Sequence, residues 1–409
     1  MKKEIATILL VFCLMVIGIP SQVHAQKSSN EKAYVTISSV DELKKFAREV
    51  NNGNDFTGKL IKLKKDIRFE GAIINNLTPI GSGQNNNFNG TFDGAGYIIS
   101  GIDITNINEW AGIFGTIGPQ GIVKNLTVQA CKFVNVDRGG TIAGINWGTV
   151  ENCHTTGGSL NGKQLGGIIG NNYGTILNSS NTVKIVSGDH NVGGIAAYNN
   201  GNILNSYNTG DIISSIRYLE YYAGGLVGKN GSGGIIQNCY NTGKVTLTDI
   251  VQRMGAIAGY AEGILVNNFY SEDSAKQKVY ELYGTEINNK SLSKSKMKND
   301  SFVKDLNSNI GSNKKWLKWS SGSVFPTFER LYEITFRTIK NGTIKTNYSY
   351  ATQGRMVTLE CIPKPNYLLS SISIKTSSGK NVKVTKKNGK YQLKMPAEII
   401  VVNATFKKK

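Results

Sequence analysis

Few residues in this chain could do nucleophilic or metal chemistry. Cys239 lies in "GGIIQNCYNTGK" (233–244), and Cys153 stands directly before His154. The remaining cysteines are Cys13, Cys131 and Cys361, and the remaining histidines are His24 and His190. A Cys–His pair needs both groups within hydrogen-bond reach. Neighbours on a strand point to opposite faces, so Cys153 and His154 do not form one. Zinc sites need three or four ligands, and no His-Glu-x-x-His occurs. A glycosidase needs two carboxylates a few ångströms apart, and a polysaccharide lyase needs a basic residue, often with a carboxylate-held metal. The central acidic residues include Glu151, Asp211, Glu220, Asp249, Glu262, Glu272 and Asp273. They share no column of the repeat described below. Asp93, in "TFDGAGY", has a turn context. No catalytic set, metal or cofactor is expected.

The elements that would carry any site begin with a leader. Lys2 and Lys3 precede a short apolar run, residues 8–19, and Val23-His24-Ala25 follows with small residues. The run is too short to span a bilayer comfortably. It reads as a signal peptide (1–25) cut after Ala25. Cys13 follows Phe12, so no lipid anchor is expected. No later run has membrane length, and no Leu-Pro-x-Thr-Gly sorting signal occurs. The expected protein is secreted or loosely held at the cell surface, with no transmembrane segment after cleavage. Four cysteines in a mature chain of this length are not a disulfide scaffold.

The formal net charge of +19 is unevenly placed. Residues 331–409 carry fifteen Lys/Arg against three Asp/Glu, and residues 139–275 carry six against eight. An exported basic segment suits anionic partners: wall polymers, lipid head groups or acidic glycans. A solvated face that aids solubility is the competing reading. Nucleic acid is not an expected partner.

The middle of the chain repeats, and this decides the fold. Six segments read Gly-x-(Val/Ile/Leu)-x-Asn and end at Asn125, Asn152, Asn178, Asn205, Asn238 and Asn267. Ahead of each glycine an apolar residue falls in register: Ile113, Ile142, Ile168, Ile195, Leu226 and Ile257. Short β-branched runs punctuated by Gly and Asn are strands joined by tight turns. One repeat is then one coil, pairing in parallel with its copy about 4.8 Å away. Stacked asparagines would form a ladder along the axis. The expected class is all-β: a right-handed parallel β-helix with short helical caps, plus a small C-terminal antiparallel β domain.

"GGLVGKNGSGGIIQNCYNTGKV" (224–245) resembles the GLUG motif of bacterial surface and secreted proteins. "LTPIGSGQNNNFNGTFDGAGYIISGI" (77–102) is similar to the stretch that leads into such repeats. The resemblance spans roughly residues 34–330 and implies the right-handed β-helix. It implies no single activity, since these repeats accompany adhesins, uncharacterised secreted proteins and some immunoglobulin A peptidases. The metalloprotease motif of the last group is missing. Residues 332–407 resemble a small bacterial β repeat with a Met395-Pro396-Ala397 signature, which implies a spacer or binding module.

The expected division is 26–74 as N-terminal cap, 75–275 as β-helix, 276–331 as C-terminal cap and linker, and 332–409 as basic β module. Ser39-x-x-Glu42 is a capping box that opens an amphipathic cap helix over 39–51. Residues 291–308 read as one or two short helices, with Trp316 and Trp319 closing the last coil. Asn341-Gly342 and Asn388-Gly389 are hairpin signals.

Two features are candidates for binding. The loop between Asn205 and Gly224 is longer than its counterpart and carries Arg217, Tyr218, Tyr221 and Tyr222. Long solenoid loops often form a functional face; tyrosines packing over the loop are the alternative. The second feature lies two residues past each ladder asparagine: Thr127, His154, Ser180, Tyr207, Tyr240 and Phe269. An outward orientation would make Tyr207 and Tyr240 a sugar-binding stripe, and an inward one would make them core. The outward orientation is expected. Cys239 belongs to the column between, with Leu126, Cys153, Ser179, Ser206 and Asn268. That is a packing slot, and three coils separate Cys239 from Cys153, roughly 14 Å, too far for a disulfide. The expected function is non-catalytic adhesion or extracellular binding of glycans or host proteins. The alternative is a carbohydrate-active β-helix enzyme, a lyase or glycosidase.

Overall fold

A computed structural model describes residues 34–409 apart from 72–76, 83–85, 108–109, 189, 217, 249–252, 314, 323, 330, 338, 349 and the side chain of Leu331. The leader and Arg217 lie outside the described residues. Two compact units are present, residues 32–330 and residues 331–409.

The first unit is a parallel β-solenoid of about eight turns. Its register follows the repeat. Thr91–Asp93 pairs with the start of Ile122–Gly140, which pairs with Thr149–Gly166 and then with Thr175–Leu177. The series continues through Asn202–Leu204, Ile235–Gln237, Ile264–Val266 and Thr285–Ile287. A second sheet of seven strands runs from Phe114–Ile117 to Val279–Leu282. Val123, Val150, Ile176, Ile203, Ile236 and Leu265 point into the lumen and are buried, as are Ile142, Ile168, Ile195, Leu226 and Ile257. Each coil thus covers the apolar face that its neighbour cannot bury alone.

The solenoid exceeds the expected 75–275 at both ends. Val35–Ile37 pairs in parallel with Leu60–Leu63, which pairs with Thr91–Asp93, and Lys290–Leu292 pairs with Phe269–Ser271. The N-terminal outer coils lack the Gly-x-x-x-Asn signature yet bury Ile37, Ile61 and Leu63 in the same core, whereas the C-terminal one keeps it from Gly284 to Asn288 with Glu286 at the apolar position. Helix α1, Val40–Asn51, covers the open N-terminal end, where an unpaired core would otherwise invite edge association. The Ser39 side chain accepts from the Glu42 N–H at 3.2 Å, and Glu42 accepts from Ser38 N–H. Phe46 projects from α1 to within 5.0 Å of Phe56 and 5.8 Å of Phe88, ring centre to ring centre.

The ladder asparagines all take left-handed φ, between 47° and 53°. Asn tolerates that region better than other side-chain-bearing residues. Amide-to-amide bonds join Asn152 to Asn125, Asn205 to Asn178 and Asn238 to Asn205, at 2.7–2.8 Å. Glycine is required where the chain turns sharply within a coil. A Cβ on Gly224 would lie 1.8 Å from the Val227 carbonyl oxygen.

The C-terminal cap is not where the sequence puts it. Beyond helix α2, Asp300–Ser308, the chain runs along the flank of the solenoid instead of closing its end. Asn178 donates to the Lys315 carbonyl and accepts from Leu317 N–H. Asn205 donates to the Leu317 carbonyl and accepts from the Trp319 indole at 2.8 Å. Asn238 donates to the Leu306 carbonyl. The reason is physical. The column expected as an exposed stripe does face away from the lumen, but it is apolar, and the strap covers it. Tyr207, Tyr240 and Phe269 share one buried cluster with Met297, Phe302, Leu306, Trp319 and Phe328.

The strap also covers His154, whose ring bonds Ser180 Oγ and Asn152 Oδ1 and lies 6.0 Å from the Phe328 ring. Burial pulls its pKa down to about 4. Between the ordinary value near 6.5 and about 4, the unfolded chain binds a proton that the folded one refuses. Stability should therefore fall as pH drops through this window, by roughly 3 kcal/mol at most for this half-buried ring. Glu151, with its carboxyl pushed up by burial, contributes with the opposite sign. The measurement is therefore the difference between wild type and His154→Gln in urea unfolding from pH 7 to pH 4. Parallel pH profiles would refute the assignment.

The second unit packs two four-stranded sheets around Ile344, Val357, Leu359, Leu393, Met395, Ile400 and Val402. One sheet is antiparallel throughout. The other includes a parallel pairing of Ile334 with Ile400. Asn388-Gly389 is the expected hairpin, with both residues at positive φ between paired Lys387 and Lys390. Asn341-Gly342 is not a hairpin. Leu331–Phe336 and Gly342–Thr346 belong to different sheets, so this turn carries the chain between layers.

Candidate functional site

The cysteines of the repeat are wall material. Cys153, Cys239 and Cys131 are buried and free. Burial pushes the Cys153 and Cys239 thiols up to about 12, so neither forms a ready thiolate. Their column is a mixed ladder in which each side chain accepts from the backbone N–H of the previous coil. Cys153 N–H donates to Ser179 Oγ, Ser179 N–H to Ser206 Oγ, Ser206 N–H to Cys239 Sγ and Cys239 N–H to Asn268 Oδ1.

The residues singled out in the sequence scatter. Tyr207 is buried and Tyr240 has no exposed surface, with its hydroxyl donating to the Pro326 carbonyl. They stack at 4.9 Å beneath the strap, so they form no open sugar-binding stripe. In the long loop, Tyr218 is 57% exposed and stands edge-on to Tyr221, which stacks on His190 at 4.5 Å. Tyr222 is only 6% exposed and belongs to a structural corner. Its hydroxyl donates to Glu281 at 2.9 Å and accepts from Arg253, which also pairs with Glu281 at 3.7 Å. Of the described loop residues singled out, Tyr218 is exposed, Tyr221 is half-buried and Tyr222 is buried.

The aromatic surface that the structure does expose lies on the second sheet. Its inner asparagines, Asn146, Asn172, Asn199 and Asn230, are buried and bonded amide to amide at 2.7–2.8 Å. They fix the register of the residues on either side. One row, immediately before them, runs Ile145, Asn171, Tyr198, Lys229, Tyr260, Glu281. The other, immediately after, runs Trp147, Tyr173, Asn200, Gly231, Glu262, Tyr283. Six coils carry the two rows, giving a strip roughly 24 Å long.

At one end Trp147, 48% exposed, stacks on Tyr173 at 4.2 Å and 11°, and Tyr173 lies 5.8 Å from Tyr198. At the other end Tyr283, 72% exposed, lies 5.6 Å from Tyr260, with the Lys229 ammonium 4.9 Å above the Tyr260 ring. Between and beside the rings are amides, with Gln164 bonded to Asn171 at 2.6 Å. The Tyr260 hydroxyl is pushed up to about 12, chiefly by its hydrogen bond to Glu262. Glu281 is held by Tyr222 and Arg253. Rings, amides and already-bonded carboxylates form a surface suited to stacking and hydrogen bonding. Among the described residues no group of three or more His, Cys, Asp or Glu could hold a metal. The signal for this strip was present in "INWG", "NNYG" and "AYNN", where an aromatic adjoins an inner asparagine. The row changes side between coils, which hides it from a single-column reading.

Comparison with known proteins now has a geometry to attach to. Residues 220–246 match the GLUG motif. Residues 332–409 match the divergent InlB B-repeat domain. Together they support a repeat protein of the surface-protein kind. Halomucin from Haloquadratum walsbyi is 30% identical over 112 residues, which is 27% of this chain and 1% of halomucin. A solved structure of a proposed immunoglobulin A1 protease from Bacteroides ovatus matches with a TM-score of 0.57 at 19% identity. It covers 74% of this chain and 94% of that one, and it shows a shared fold. A second solved IgA1 protease matches at 18% identity with a TM-score of 0.45, over 62% of this chain and 21% of that one. No helix among the described residues is long and apolar enough to cross a membrane.

Proposed function

We propose that this is an extracellular, non-catalytic binding protein that holds an extended glycan chain along the second sheet. The observation that carries the reading is the pair of rows, Trp147 to Tyr283 and Ile145 to Glu281, aligned over six consecutive coils. A sugar ring has an apolar face that stacks on an aromatic ring and a rim of hydroxyls that needs amide partners. The strip alternates both along a straight axis, as a linear chain requires. The expected leader and the likeness to repeat-bearing surface proteins agree with an extracellular place. Glu262 and Glu281 are each already bonded to neighbours on the strip, an arrangement that suits fixed hydrogen-bond partners.

The test is the double variant Trp147→Ala, Tyr283→Ala. Each lost ring contact costs about 1 kcal/mol, so affinity for a neutral oligosaccharide hit from a glycan array should drop roughly tenfold or more. Both side chains are solvent-facing, so unfolding should stay within about 1 kcal/mol of wild type. Unchanged binding in the double variant would refute the strip. Appearance of cleaved products on long incubation would refute the non-catalytic part and favour a carbohydrate-active enzyme. A screen that finds a protein ligand and no glycan would redirect the reading to a host-protein adhesin.

A further inference from the structure

A second binding face lies in the basic module, independent of the strip. Of its two sheets, the one made of Gly342–Thr346, Met356–Pro363, Lys390–Lys394 and Thr385–Lys387 has a solvent side that alternation identifies. Ile344, Val357, Leu359 and Leu393 point into the core. The residues between and beside them point out: Lys345, Glu360, Lys390 and Lys387 across the four strands, then Thr358, Gln392 and Thr385, then exposed Met356 opposite Lys394, with the Thr343–Ile362 pair at the other edge. The one carboxylate in this set, Glu360, pairs with Lys390 at 3.3 Å.

The arrangement works against the stability of the free module. Lys387 lies directly opposite Lys390 in the ladder, and like charges in that position are destabilising. Lys345 and Lys394 add charge to the same face. A flat face with uncompensated lysines, beside a row of hydroxyls and an amide, is complementary to a ligand with regular negative charges and many hydroxyls. We infer that this sheet face binds a linear acidic polysaccharide, with the lysines on its carboxylates and Thr358, Gln392 and Thr385 on its hydroxyls. The polar row has a role only if the ligand carries hydrogen-bonding groups between its charges. This favours an acidic polysaccharide over a bare polyphosphate or a bilayer surface.

The experiment uses the full chain titrated with polygalacturonate. The triple variant Lys345→Gln, Lys387→Gln, Lys390→Gln is compared with Lys364→Gln, Lys375→Gln, Lys407→Gln, which removes the same charge elsewhere on the module. The inference expects at least tenfold weaker binding for the first variant, little change for the second, and binding by wild type that weakens steeply with salt. Equal loss in both variants would show that net charge acts without a site, and would overturn it. Polyphosphate or anionic phosphatidylserine vesicles binding as tightly as the polysaccharide would overturn the ligand assignment. The first variant loses both the Lys387–Lys390 opposition and the exposed Lys390–Glu360 pair, which act in opposite directions, so its thermal melt should stay close to wild type and separates lost binding from lost folding.

Discussion

Trp319→Ala should lower unfolding stability by about 3–5 kcal/mol, the largest effect expected of any single substitution in the strap. The ring is 2% exposed and sits 4.4 Å from Phe328 and 5.4 Å from Tyr240. Its indole N–H donates to Asn205, while its backbone N–H and carbonyl are held by the Asn307 amide at 2.9 Å each. Truncation therefore removes the wedge between strap and solenoid and leaves Asn205 Oδ1 with one donor, the Asn238 amide, instead of two. Trp319→Phe keeps most of the ring but loses the N–H, and should cost about 1–2 kcal/mol. Urea midpoints report both. Hydrogen exchange adds a local test: the amides of 315–328 should open before those of the solenoid core. A Trp319→Ala protein within about 1 kcal/mol of wild type would show that the strap rests on the flank without stabilising it.

Asn199→Leu should cost roughly 3 kcal/mol or more, although leucine is apolar, similar in size and placed in a buried position. Asn199 is fully buried in the middle of the inner ladder. Its amide donates to Asn230 Oδ1 at 2.7 Å and to the Gly201 carbonyl at 3.0 Å, and its oxygen accepts from Asn172 at 2.7 Å. Leucine removes all of these and strands polar atoms on both neighbouring coils. Each buried orphan costs about 1–3 kcal/mol. Because coils are coupled only to their neighbours, the variant should also broaden the unfolding transition. The outer position Asn267 is the comparison: no amide-to-amide bond joins it to Asn238 among the described contacts, and Asn267→Gly, which accommodates its φ of 52°, should cost less. Equal effects at Asn199 and Asn267 would refute the view that the buried amide chain sets coil register.

The coil period, the lumen-facing Ile and Val columns and the left-handed asparagines were legible because each is a local requirement. A turn that needs positive φ selects Asn or Gly, and a strand with one buried face selects alternating β-branched residues. Those demands recur once per coil, so the sequence shows them as columns. Cys239 was legible for the same reason, as one member of a column of packing positions, whereas the backbone N–H bonds that the column accepts appear only in the structure. The outer coils were less legible, because Val35–Ile37 pairs in register without the glycine and asparagine that mark the inner ones, and the Gly284 to Asn288 coil keeps both but has Glu286 where the others have an apolar residue.

The tertiary structure decided what covers what. From sequence, Tyr207 and Tyr240 could be seen to point away from the lumen, but not that residues 297–328 fold back over them. That contact joins segments far apart in the chain and has no periodic signature. The same holds for Tyr222, which the loop offers to solvent in sequence and which Arg253 and Glu281 hold in place. The exposed strip from Trp147 to Tyr283 is the counterpart. Its residues alternate between two rows, and only the coil register brings them onto one face. Sequence alone determined the scaffold, since repetition writes local backbone and packing needs into every coil. Which side chains remain open to a ligand depends on long-range cover, and that is settled where distant segments meet.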